Sequence, residues 1–455
     1  MMLTGIILAA GKGTRMKSKY PKVVHKVVGK EMLNHVIDAT EALNCKKPSI
    51  VIGHGRAIVK ERINREVNFV VQEEQLGTGH AVMVCDENIP EAGDVIILYG
   101  DTPLLRAKTL KGFVDFHKKS KNTMSVMTAK FENPHGYGRI IKDEMGNLIK
   151  IVEEKDASKE EKEVKEINSG IYCVNAKALK ASIQLLNNDN NQNEYYLTDI
   201  VEILKNKKEK IASFIIEDNE EIIGVNSRKQ LFEVEEILKK RIFEKHMANG
   251  VTIIDQSITI EKDVKIGMDT IILPGSYIAG NTIIGEDCII GPSARISDST
   301  IDDQVEVKDS TIIESQVGLA SKIGPYAYLR PKSNIGSKVK IGDFVEVKNT
   351  TVGDGSKVSH LSYIGDGEIG KNVNIGCGVV FVNYNGRDKN ITTVKDNAFI
   401  GCNSNLIAPV IVEENAYIAA GSTITEEVPK GALSIARKRQ INKLNWVESK
   451  GLLKK

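Results

Sequence analysis

The sequence predicts two structural units, an α/β domain built on a parallel sheet in the first half and a parallel β-helix in the second. Two observations support this prediction. Up to about residue 226, short aliphatic runs alternate with stretches of helical spacing, the order typical of a parallel sheet covered by helices. From residue 260 to residue 425, aliphatic residues recur at every sixth position, which neither a helix nor an ordinary strand produces.

The six-residue period defines the second unit. It continues through blocks that differ in phase, and Gly or Ala often follows the aliphatic residue, as in Ile266-Gly267 and Ile418-Ala419. Helices repeat every 3.6 residues and half-buried strands every 2, so this period indicates short strands joined by tight corners. Three such strands close one triangular coil, and successive coils stack roughly 4.7 Å apart. A chance pattern would have to reproduce the same spacing in every block.

The elements of the first unit follow from its apolar runs. Because ligands of parallel α/β sheets bind beyond the carboxyl ends of the strands, we expect the chemistry at that edge. The strand-like runs cover residues 4–10, 49–53, 68–72 and 94–100, and the helical stretches cover residues 31–43 and 57–64.

A linker helix is predicted between the two units. Ser227 and Gln230 form a capping-box pattern, and apolar residues then follow at helical spacing. The predicted organisation is a first domain over residues 1–226, a linker helix over 227–250, a β-helix domain over 251–436 and a basic tail over 437–455.

Charge and cysteine content limit the classes of function. The formal net charge of +2 provides no field for nucleic acid. The six cysteines form no CxxC pair, which favours reduced thiols in a cytoplasmic protein over a disulfide framework. No apolar run approaches the roughly 18 residues of a membrane span.

A Gly-rich turn follows the first strand. Residues 8–16 read LAAGKGTRM, which is neither a dinucleotide fingerprint nor a phosphate loop ending in Gly-Lys-Ser/Thr. Its glycines would still let backbone N–H groups approach a triphosphate, with Arg15 and Lys22 supplying positive charge. The alternative is a plain strand-to-helix connection. Asp101 ends another strand, where a carboxylate can bind Mg²⁺ or simply form a turn.

Further motifs give a family resemblance. With segments 72–79 (QEEQLGTG), 98–101 (LYGD) and 224–226 (GVN), the first half resembles the nucleoside-diphosphate-sugar pyrophosphorylases. Segments 137–139 (YGR) and 167–170 (INSG) resemble the N-acetylglucosamine-1-phosphate uridylyltransferase branch. With the β-helix, nearly the whole chain resembles the bifunctional enzymes that make UDP-N-acetylglucosamine. This resemblance implies a Rossmann-like nucleotidyltransferase domain followed by a left-handed parallel β-helix.

The resemblance implies roles for residues of the first domain. The reaction would be in-line attack of the sugar-1-phosphate oxygen on the α-phosphorus of UTP, with pyrophosphate leaving and no protein nucleophile. Arg15 and Lys22 would hold phosphates, and Asp101 and Asn226 would hold Mg²⁺. The residues implied for the uridine nucleotide are Leu8, Ala10, Gly11, Gln72, Gly77 and Thr78, and those for the sugar are Gly138, Glu153 and Asn168.

In the β-helix, polar residues interrupt the coil pattern, and residues 381–394 break it, which predicts a protruding loop. A lone histidine on a coil is more often structural, but His360 lies near Lys348 and Tyr363 in a stack that repeats about every 18 residues. The combination of a histidine with cationic and aromatic residues favours a functional site over a plain spacer.

The resemblance also implies roles in this half. His360 would be the general base for the amine of glucosamine-1-phosphate as it attacks acetyl-CoA, oriented or polarised by Glu346. The residues implied for the sugar phosphate are Arg330, Lys348, Tyr363, Asn374 and Lys389, and those for acetyl-CoA are Cys377, Asn383, Tyr384, Cys402, Ala420 and Arg437.

Two positions depart from this family. Cys402 stands where many relatives have Ser, and Asn385 where many have Asp. Cys377 and Cys402 leave a covalent acetyl-thiol route open beside the general-base route. The basic tail at residues 437–455 is expected to close over the phosphates of CoA.

Three interpretations of the whole chain remain. One is the bifunctional enzyme, expected to form a homotrimer because β-helix acetyltransferases usually do. A second is a single-activity pyrophosphorylase with a structural or regulatory β-helix. A third is a non-enzymatic assembly subunit, as in translation-factor exchange complexes. His360 with Arg330 and Lys348 favours the first, since a spacer has no need of these residues.

Overall fold

The computed structural model describes residues 3–452, and the chain divides into two compact units between Leu238 and Lys239. A single helix, Arg228–Ala248, contains this boundary. Among the described residues, no helix has the length and apolar character needed to cross a bilayer. The last three residues of the predicted tail, 453–455, lie outside the described residues.

The first unit contains one large sheet and a two-stranded ribbon. Its strands are β1 (Leu3–Leu8), β2 (Lys26–Val27), β3 (Lys30–Glu31), β4 (Ser49–Ile52), β5 (Asn68–Val71), β6 (Asp94–Tyr99), β7 (Met124–Lys130), β8 (Arg139–Lys142), β9 (Leu148–Val152), β10 (Glu166–Asn175) and β11 (Ile211–Ile215). The large sheet has the order β11-β7-β10-β6-β1-β4-β5, with β8 paired to β10 and β9 paired to β8.

Helices connect and cover these strands. They are α1 (Met32–Glu41), α2 (Arg56–Arg62), α3 (Thr78–Met83), α4 (Ala107–Lys119), α5 (Lys159–Lys162), α6 (Ala176–Ile183), α7 (Ile200–Asn206) and α8 (Arg228–Ala248). Short 3-10 turns occupy Thr14–Met16, Lys22–Val24, Asp86–Asn88, Leu197–Asp199 and Asn219–Ile222.

The sheet is mixed, which corrects the prediction of a parallel sheet. The four predicted strands, β1, β4, β5 and β6, do pair in parallel. Strand β10 instead runs antiparallel to both β6 and β7. The direction of a strand depends on its partners and not on its own apolar pattern, so the sequence of β10 did not reveal it.

Apolar side chains of the sheet fill two cores. Ile7, Ile96 and Leu98 belong to one buried cluster, whereas Ile6 and Ile97 belong to the other. Because successive side chains of a strand point to opposite faces, each face of the sheet is covered. The strands are therefore held rigidly, and the loops at their carboxyl ends start from fixed positions.

The second unit is a left-handed parallel β-helix, as predicted. Pairing follows the coil spacing, so that Ile278 is in register with Ile296 and Ile296 with Ile312. These isoleucines are fully buried inside the prism. The aliphatic residue of the six-residue period therefore supplies the core of every coil.

The coils form one eleven-stranded and one seventeen-stranded sheet within the described residues. The first contains Thr252–Ile253, Ile271–Ile272, Ile289–Ile290, Glu306–Val307, Lys322–Ile323, Lys340–Asp343, Lys357–His360, Asn374–Ile375, Phe399–Ile400, Tyr417–Ile418 and Leu433–Ser434. The second contains Thr259–Ile260, Lys265–Ile266, Tyr277–Ala279, Ile283–Ile284, Arg295–Ser297, Thr300–Ile301, Thr311–Ile313, Gln316–Val317, Tyr328–Leu329, Asn334–Ile335, Glu346–Val352, Tyr363–Ile369, Val380–Val382, Thr392–Val394, Asn405–Ile407, Val410–Val412 and Thr423–Ile424.

One loop leaves the coils where the six-residue period breaks. It connects Val380–Val382 to Thr392–Val394 and is closed by an antiparallel bridge between Tyr384 and Lys389. This agrees with the predicted protruding loop. A short helix, Trp446–Ser449, lies in the tail, where the side chains are exposed.

Candidate active sites

A cleft of about 610 Å³ lies at the carboxyl ends of β1, β5 and β6. This is the edge at which the predicted chemistry was expected. The predicted residues that line it are Leu8, Ala10, Gly11, Lys22, Gln72, Gly77, Thr78, Asp101 and Asn226. Residues from four separate parts of the chain therefore meet at one place.

The loop after β1 needs glycine at one position in particular. Gly13 has a φ of 59°, and a Cβ added there would lie 2.9 Å from Cβ of Lys22. Any other residue would be strained in this conformation and would displace Lys22. An added Cβ at Gly11, by contrast, would meet no atom within 4 Å, because this backbone borders the open cleft. Arg15 is exposed in the same loop.

Lys22 joins the two predicted metal ligands. Its ammonium group donates to the carboxylate of Asp101 and, at 2.9 Å, to Oδ1 of Asn226. The carboxylate and the amide oxygen thus converge on one cationic point. Mg²⁺ commonly takes one or two protein oxygens and completes its shell with phosphates and water, so this donor pair fits the metal.

The wall of the cleft between β5 and α3 is fixed by hydrogen bonds. Gln72 is buried, and its Nε2 lies 3.2 Å from the carbonyl oxygen of Gly77 and 3.1 Å from Nδ1 of His80. Gly77 has a φ of 108°, and an added Cβ would lie 2.6 Å from the carbonyl oxygen of Tyr195. Thr78 Oγ1 accepts a hydrogen bond of 3.1 Å from the amide of Leu197. These contacts hold the wall in a single shape.

The three residues predicted for the sugar lie together. A Cβ added at Gly138 would be 3.5 Å from a carboxylate oxygen of Glu153 and 3.6 Å from Cβ of Asn168. The amide of Asn168 also donates to the carbonyl of Gly138 at 2.9 Å. Burial raises the pKa of the Glu153 carboxyl, although a hydrogen bond from Thr198 partly opposes this effect.

Tyr99 links the two parts of this site and was missed by the sequence analysis. It lines the cleft, and burial raises the pKa of its phenol, assisted by the charges of Glu153 and Asp101. The phenol is therefore within electrostatic range of both Glu153, a predicted sugar residue, and Asp101, a predicted metal ligand. An aromatic residue two positions before Asp101, at the end of a buried strand, was the available signal.

In the β-helix, three predicted cations lie close to one another. The pKa of Lys348 is lowered, first by its contact with Lys389 and also by the charge of Arg330. Arg330 Nη1 donates to Glu346 at 2.8 Å, which raises the pKa of this guanidinium. Like charges this close destabilise one another until an anion joins them, so the arrangement suits a phosphate.

The same face holds Tyr363 and the start of the loop. Asn383 is buried and donates to Oδ2 of Asp366 at 2.5 Å, while Asn349 donates to Oδ1 at 2.7 Å. Asn383 Nδ2 also lies 3.4 Å from the hydroxyl of Tyr363. Asp366, which the sequence analysis did not identify, therefore fixes the base of the loop that carries Lys389.

His360 pairs with Asp343 and not with Glu346. Its Nδ1 lies 2.6 Å from Oδ1 of Asp343, the residue in register with it on the preceding coil. The hydrogen bond from His360 lowers the pKa of the Asp343 carboxyl. Among the described residues, no hydrogen bond joins Glu346 to His360. We expected Glu346 to orient this imidazole. In the structure Asp343, one coil away, is the residue that contacts it.

Three of the six residues predicted for acetyl-CoA, namely Cys377, Cys402 and Ala420, form a column with His360 on one corner of the prism. Backbone pairing from Val358 through Ile375, Ile400 and Ile418 keeps successive coils in register. Two residues further along each coil, the equivalent positions are His360, Cys377, Cys402 and Ala420. Cys377 is half-buried and Cys402 is exposed. The column, which we call the thiol column, is a line of contacts suited to a long, extended ligand.

Other predicted residues border the thiol column. Asn374 lies on the face of His360, in register with Lys357 and Phe399, and Arg437 is exposed beyond the last coil. Tyr384 is exposed, and its hydroxyl donates to the carbonyl of Gly386 at 2.7 Å. Within the described part of the chain, no hydrogen bond joins any of these three residues to His360.

Asn385, one of the two departures from the family pattern, has a local role. Its Oδ1 accepts from the amides of Arg387 and Asp388 at 2.9 and 2.7 Å. These bonds close the turn of the loop, a task that Asn and Asp perform equally well. The substitution therefore preserves the loop.

Comparisons with known proteins agree with both halves. The nucleotidyl transferase family matches residues 4–256, and the bacterial transferase hexapeptide family, in six repeats, matches residues 263–298 and 391–426. These two matches and the two sites define a nucleotidyl transferase that carries a hexapeptide-repeat transferase unit.

Full-length relatives identify the family. The bifunctional protein GlmU of Clostridioides difficile (strain 630) is 58% identical over 451 residues, which cover 99% of this chain and 98% of the relative. Its counterpart in Alkaliphilus metalliredigens (strain QYMF) is 56% identical over 456 residues, the full length of both. That of Caldanaerobacter subterraneus subsp. tengcongensis is 56% identical over 449 residues, 98% of each.

The chain belongs to the GlmU family of bifunctional proteins. It is therefore a bifunctional transferase that makes UDP-N-acetylglucosamine in two steps. Acetyl transfer from acetyl-CoA to glucosamine-1-phosphate precedes uridylyl transfer from UTP to N-acetylglucosamine-1-phosphate. The two rival interpretations, a single-activity enzyme and an assembly subunit, are set aside by this membership.

Proposed function

We propose that the cleft of the first unit performs uridylyl transfer with the residues named above. The uridine nucleotide would lie against the loop after β1 and the wall formed by Gln72, Gly77 and Thr78. The sugar phosphate would be held at Gly138, Glu153 and Asn168. Tyr99 would separate the two substrates. The observation that supports this arrangement is the convergence of all these residues at one edge of the sheet.

A magnesium ion would be held by Asp101 and Asn226. When bound, it would neutralise charge on the phosphates of UTP and of the leaving pyrophosphate. Lys22, which contacts both residues, would then be free to turn its ammonium group towards a phosphate. Together with Arg15 it would balance the charge that develops as pyrophosphate leaves.

In the β-helix, His360 would take the proton from the amine as nitrogen attacks the thioester carbon. Nδ1 of His360 faces Asp343, so the other ring nitrogen, Nε2, would act as the base. Asp343 would stabilise the imidazolium that forms. The coenzyme A thiolate would leave, carrying the electron pair of the broken carbon–sulfur bond. This assigns Asp343 as a positioning residue.

The phosphate of glucosamine-1-phosphate would bind the three cations. Arg330, Lys348 and Lys389 provide the charge, and Tyr363 and Asn374 border the site. Acetyl-CoA would lie along the thiol column, from His360 towards Arg437. This route needs only a base. The covalent acetyl-thiol route is the alternative, and the variants His360→Ala and Cys402→Ser distinguish the two.

The wider assignments rest on the same features. Uridylyl transfer would belong to residues 1–226 and acetyl transfer to residues 251–436, with helix α8 as the linker and the tail at 437–455 closing over CoA. The β-helix would form a homotrimer, as hexapeptide-repeat enzymes commonly do. All six cysteines are free thiols, which suits an enzyme of the cytoplasm.

A pair of variants in the full-length chain tests these assignments. Asp101→Ala should lower uridylyl transfer by roughly 10²-fold or more, because a charge-neutralising ligand is lost, and leave acetyl transfer nearly unchanged. His360→Ala should do the reverse. Pyrophosphate release from UTP and thiol release from acetyl-CoA report the two steps separately. Equal loss of both activities in either variant would contradict the proposal.

A further inference from the structure

Two cysteines stand one above the other on the thiol column. Ile375 pairs in register with Ile400, so Cys377 and Cys402, two residues further along each coil, occupy equivalent positions on successive coils. Neighbouring strands of a sheet lie roughly 4.7 Å apart, which sets the spacing of the two positions. Because both residues have the same place in the coil, their side chains leave the backbone in the same direction.

The backbone around this pair is fixed. The amide of Asn403 donates to the carbonyl of Cys377 at 2.7 Å. The amide of Gly421 donates to the carbonyl of Cys402 at 2.8 Å. A Cβ added at Gly376 would lie 2.7 Å from the amide nitrogen of Cys402, so the two coils touch backbone to backbone. The spacing between the two thiols therefore depends on the coils and not on a flexible loop.

These two thiols differ from the other four. Cys377 is half-buried and Cys402 is exposed, whereas the remaining cysteines are buried. Sγ of Cys288, for example, donates to the carbonyl of Asp302 at 3.1 Å. Within the ordered description of residues 3–452, neither Sγ of the exposed pair takes part in a hydrogen bond. Both thiols are thus open to solvent and to a ligand.

The number of donors selects the kind of ligand. Thiolates are soft donors that prefer Cu(I), Zn²⁺ or iron–sulfur clusters. Zn²⁺ usually takes about three or four protein ligands. Among the described residues, no group of three or more His, Cys, Asp or Glu side chains is placed to hold a metal ion. Cu(I) differs from Zn²⁺, because two thiolates on opposite sides of the ion complete its coordination.

The coil spacing also fits two-coordinate copper better than a disulfide. A zinc–sulfur bond is roughly 2.3 Å long and a copper–sulfur bond is similar, so two sulfurs on opposite sides of an ion lie roughly 4.6 Å apart. This distance matches the roughly 4.7 Å between coils. A disulfide needs Cβ atoms about 3.8 Å apart, and the coils would have to move closer together to form one.

We propose that Cys377 and Cys402 form a binding site for a cuprous ion. Each thiol would release its proton to water and bind the ion through sulfur, with no change of oxidation state. The ion would then stand in the line from His360 to Ala420, along which acetyl-CoA is proposed to lie. The consequence, which rests on the proposed function, is that bound copper excludes acetyl-CoA and leaves the cleft of the first unit unaffected.

Withdrawal of copper from a coloured chelate tests the site in the full-length protein. The protein is added without oxygen to the Cu(I) complex of bathocuproine disulfonate, and the loss of colour gives the copper bound. We expect one tightly bound ion for each chain. Loss of a partner behind a metal ligand commonly costs 10- to 100-fold in affinity, so Cys377→Ser and Cys402→Ser should each weaken binding by at least roughly 100-fold.

The matched control is Cys288→Ser, which removes a buried thiol from the same β-helix. This variant should bind copper as the wild-type protein does. Wild-type affinity in either Cys377→Ser or Cys402→Ser would overturn the proposal, because a single thiol would then suffice.

X-ray absorption at the copper edge examines the wild-type protein without any substitution. Two sulfur neighbours in a linear arrangement are expected. One sulfur, or a shell of nitrogen and oxygen, would overturn the proposal. Mass spectrometry after removal of the copper should recover both residues as free thiols, and a disulfide between them would show oxidation in place of metal binding.

Competition with acetyl-CoA separates the metal site from the proposed function. The acceptor sugar is left out, so that no free thiol is released. Acetyl-CoA at about ten times its Kd should weaken copper binding by about tenfold. If copper needs both thiols but acetyl-CoA has no effect, the metal site is established and the path of acetyl-CoA along the thiol column is refuted. If acetyl-CoA protects Cys402 from alkylation but neither serine variant weakens copper binding, the path stands and the metal site is rejected.

Discussion

Replacing His360 by alanine should abolish general-base assistance in acetyl transfer. Such assistance contributes about 10²–10⁴-fold, so turnover at neutral pH should fall by this factor. The deficit should narrow as pH rises, because more of the substrate amine is then unprotonated. The side chain of His360 is 56% exposed, so its removal leaves no cavity in the prism and the fold should persist.

Replacing Asp343 by asparagine should have a much smaller effect. The two side chains are 56% and 39% exposed, so water screens their attraction. Exposed pairs of this kind couple weakly. Acetyl transfer should therefore fall by only about twofold to fivefold, far less than in His360→Ala. The loss should appear in kcat and not in KM, since Asp343 is proposed to act through the imidazole and not on a substrate.

The assay follows thiol release from acetyl-CoA with glucosamine-1-phosphate as the acceptor. Uridylyl transfer from ready-made N-acetylglucosamine-1-phosphate serves as the internal control and should persist in both variants. If the His360→Ala variant transferred acetyl groups at the wild-type rate, His360 could not be the base, and Cys402 would become the candidate covalent acceptor. A loss in Asp343→Asn as large as in His360→Ala would refute the screening argument.

Three further predictions concern other groups. Lys348→Met should raise KM for glucosamine-1-phosphate by about tenfold, less so at high salt, whereas Lys308→Met, at an exposed lysine of an earlier coil, should not; equal effects would contradict the phosphate site. Burial raises the pKa of the Asp199 carboxyl to about 6, above an unfolded value near 3.9, so ionisation destabilises the fold as pH rises between these values. Asp199→Asn should therefore raise Tm at neutral pH and have no effect below about pH 4; a gain independent of pH would refute this assignment. N-Ethylmaleimide should block acetyl transfer but not uridylyl transfer, and Cys402→Ser should be largely resistant; undiminished sensitivity would shift the reactive thiol elsewhere.

The buried cysteines should react little with N-ethylmaleimide. Burial raises the pKa of Cys45 to about 11 and that of Cys85 to about 12, so their reactive thiolates are scarce at neutral pH. Cys402, by contrast, is exposed at the thiol column. Protection by acetyl-CoA would link modification to this column.

The fold could be predicted best in the part of the sequence that repeats. The six-residue period places Ile260, Ile278 and Ile296 on one inner face, and the structure buries all three in register. The strands β1, β4, β5 and β6 were predictable because each is a short aliphatic run between polar segments.

Pairwise contacts between distant segments were not predictable in the same way. Asp343 was missed because its contact with His360 joins residues 17 apart in the chain, one coil from each other, and leaves no local pattern. The antiparallel direction of β10 depends on its partners and leaves no local trace. The contact of Lys22 with Asp101 and Asn226 joins segments far apart in the sequence, and the spacing of the motifs does not show which of these segments meet.

The coil register also limits how this chain can change in length. Adding one corner-to-corner segment between His360 and Ala420 would turn every later residue onto the next face of the prism, and the thiol column would break. A whole added coil would keep the column intact but move its end by roughly 4.7 Å. The loop at residues 383–391 shows a third solution, because its extra residues leave the wall and return in register. Insertions and deletions in this half are thus restricted to complete coils, to excursions outside the prism, or to one or two residues at a corner, as where Ile312 follows Ile296 after 16 residues and still pairs with it.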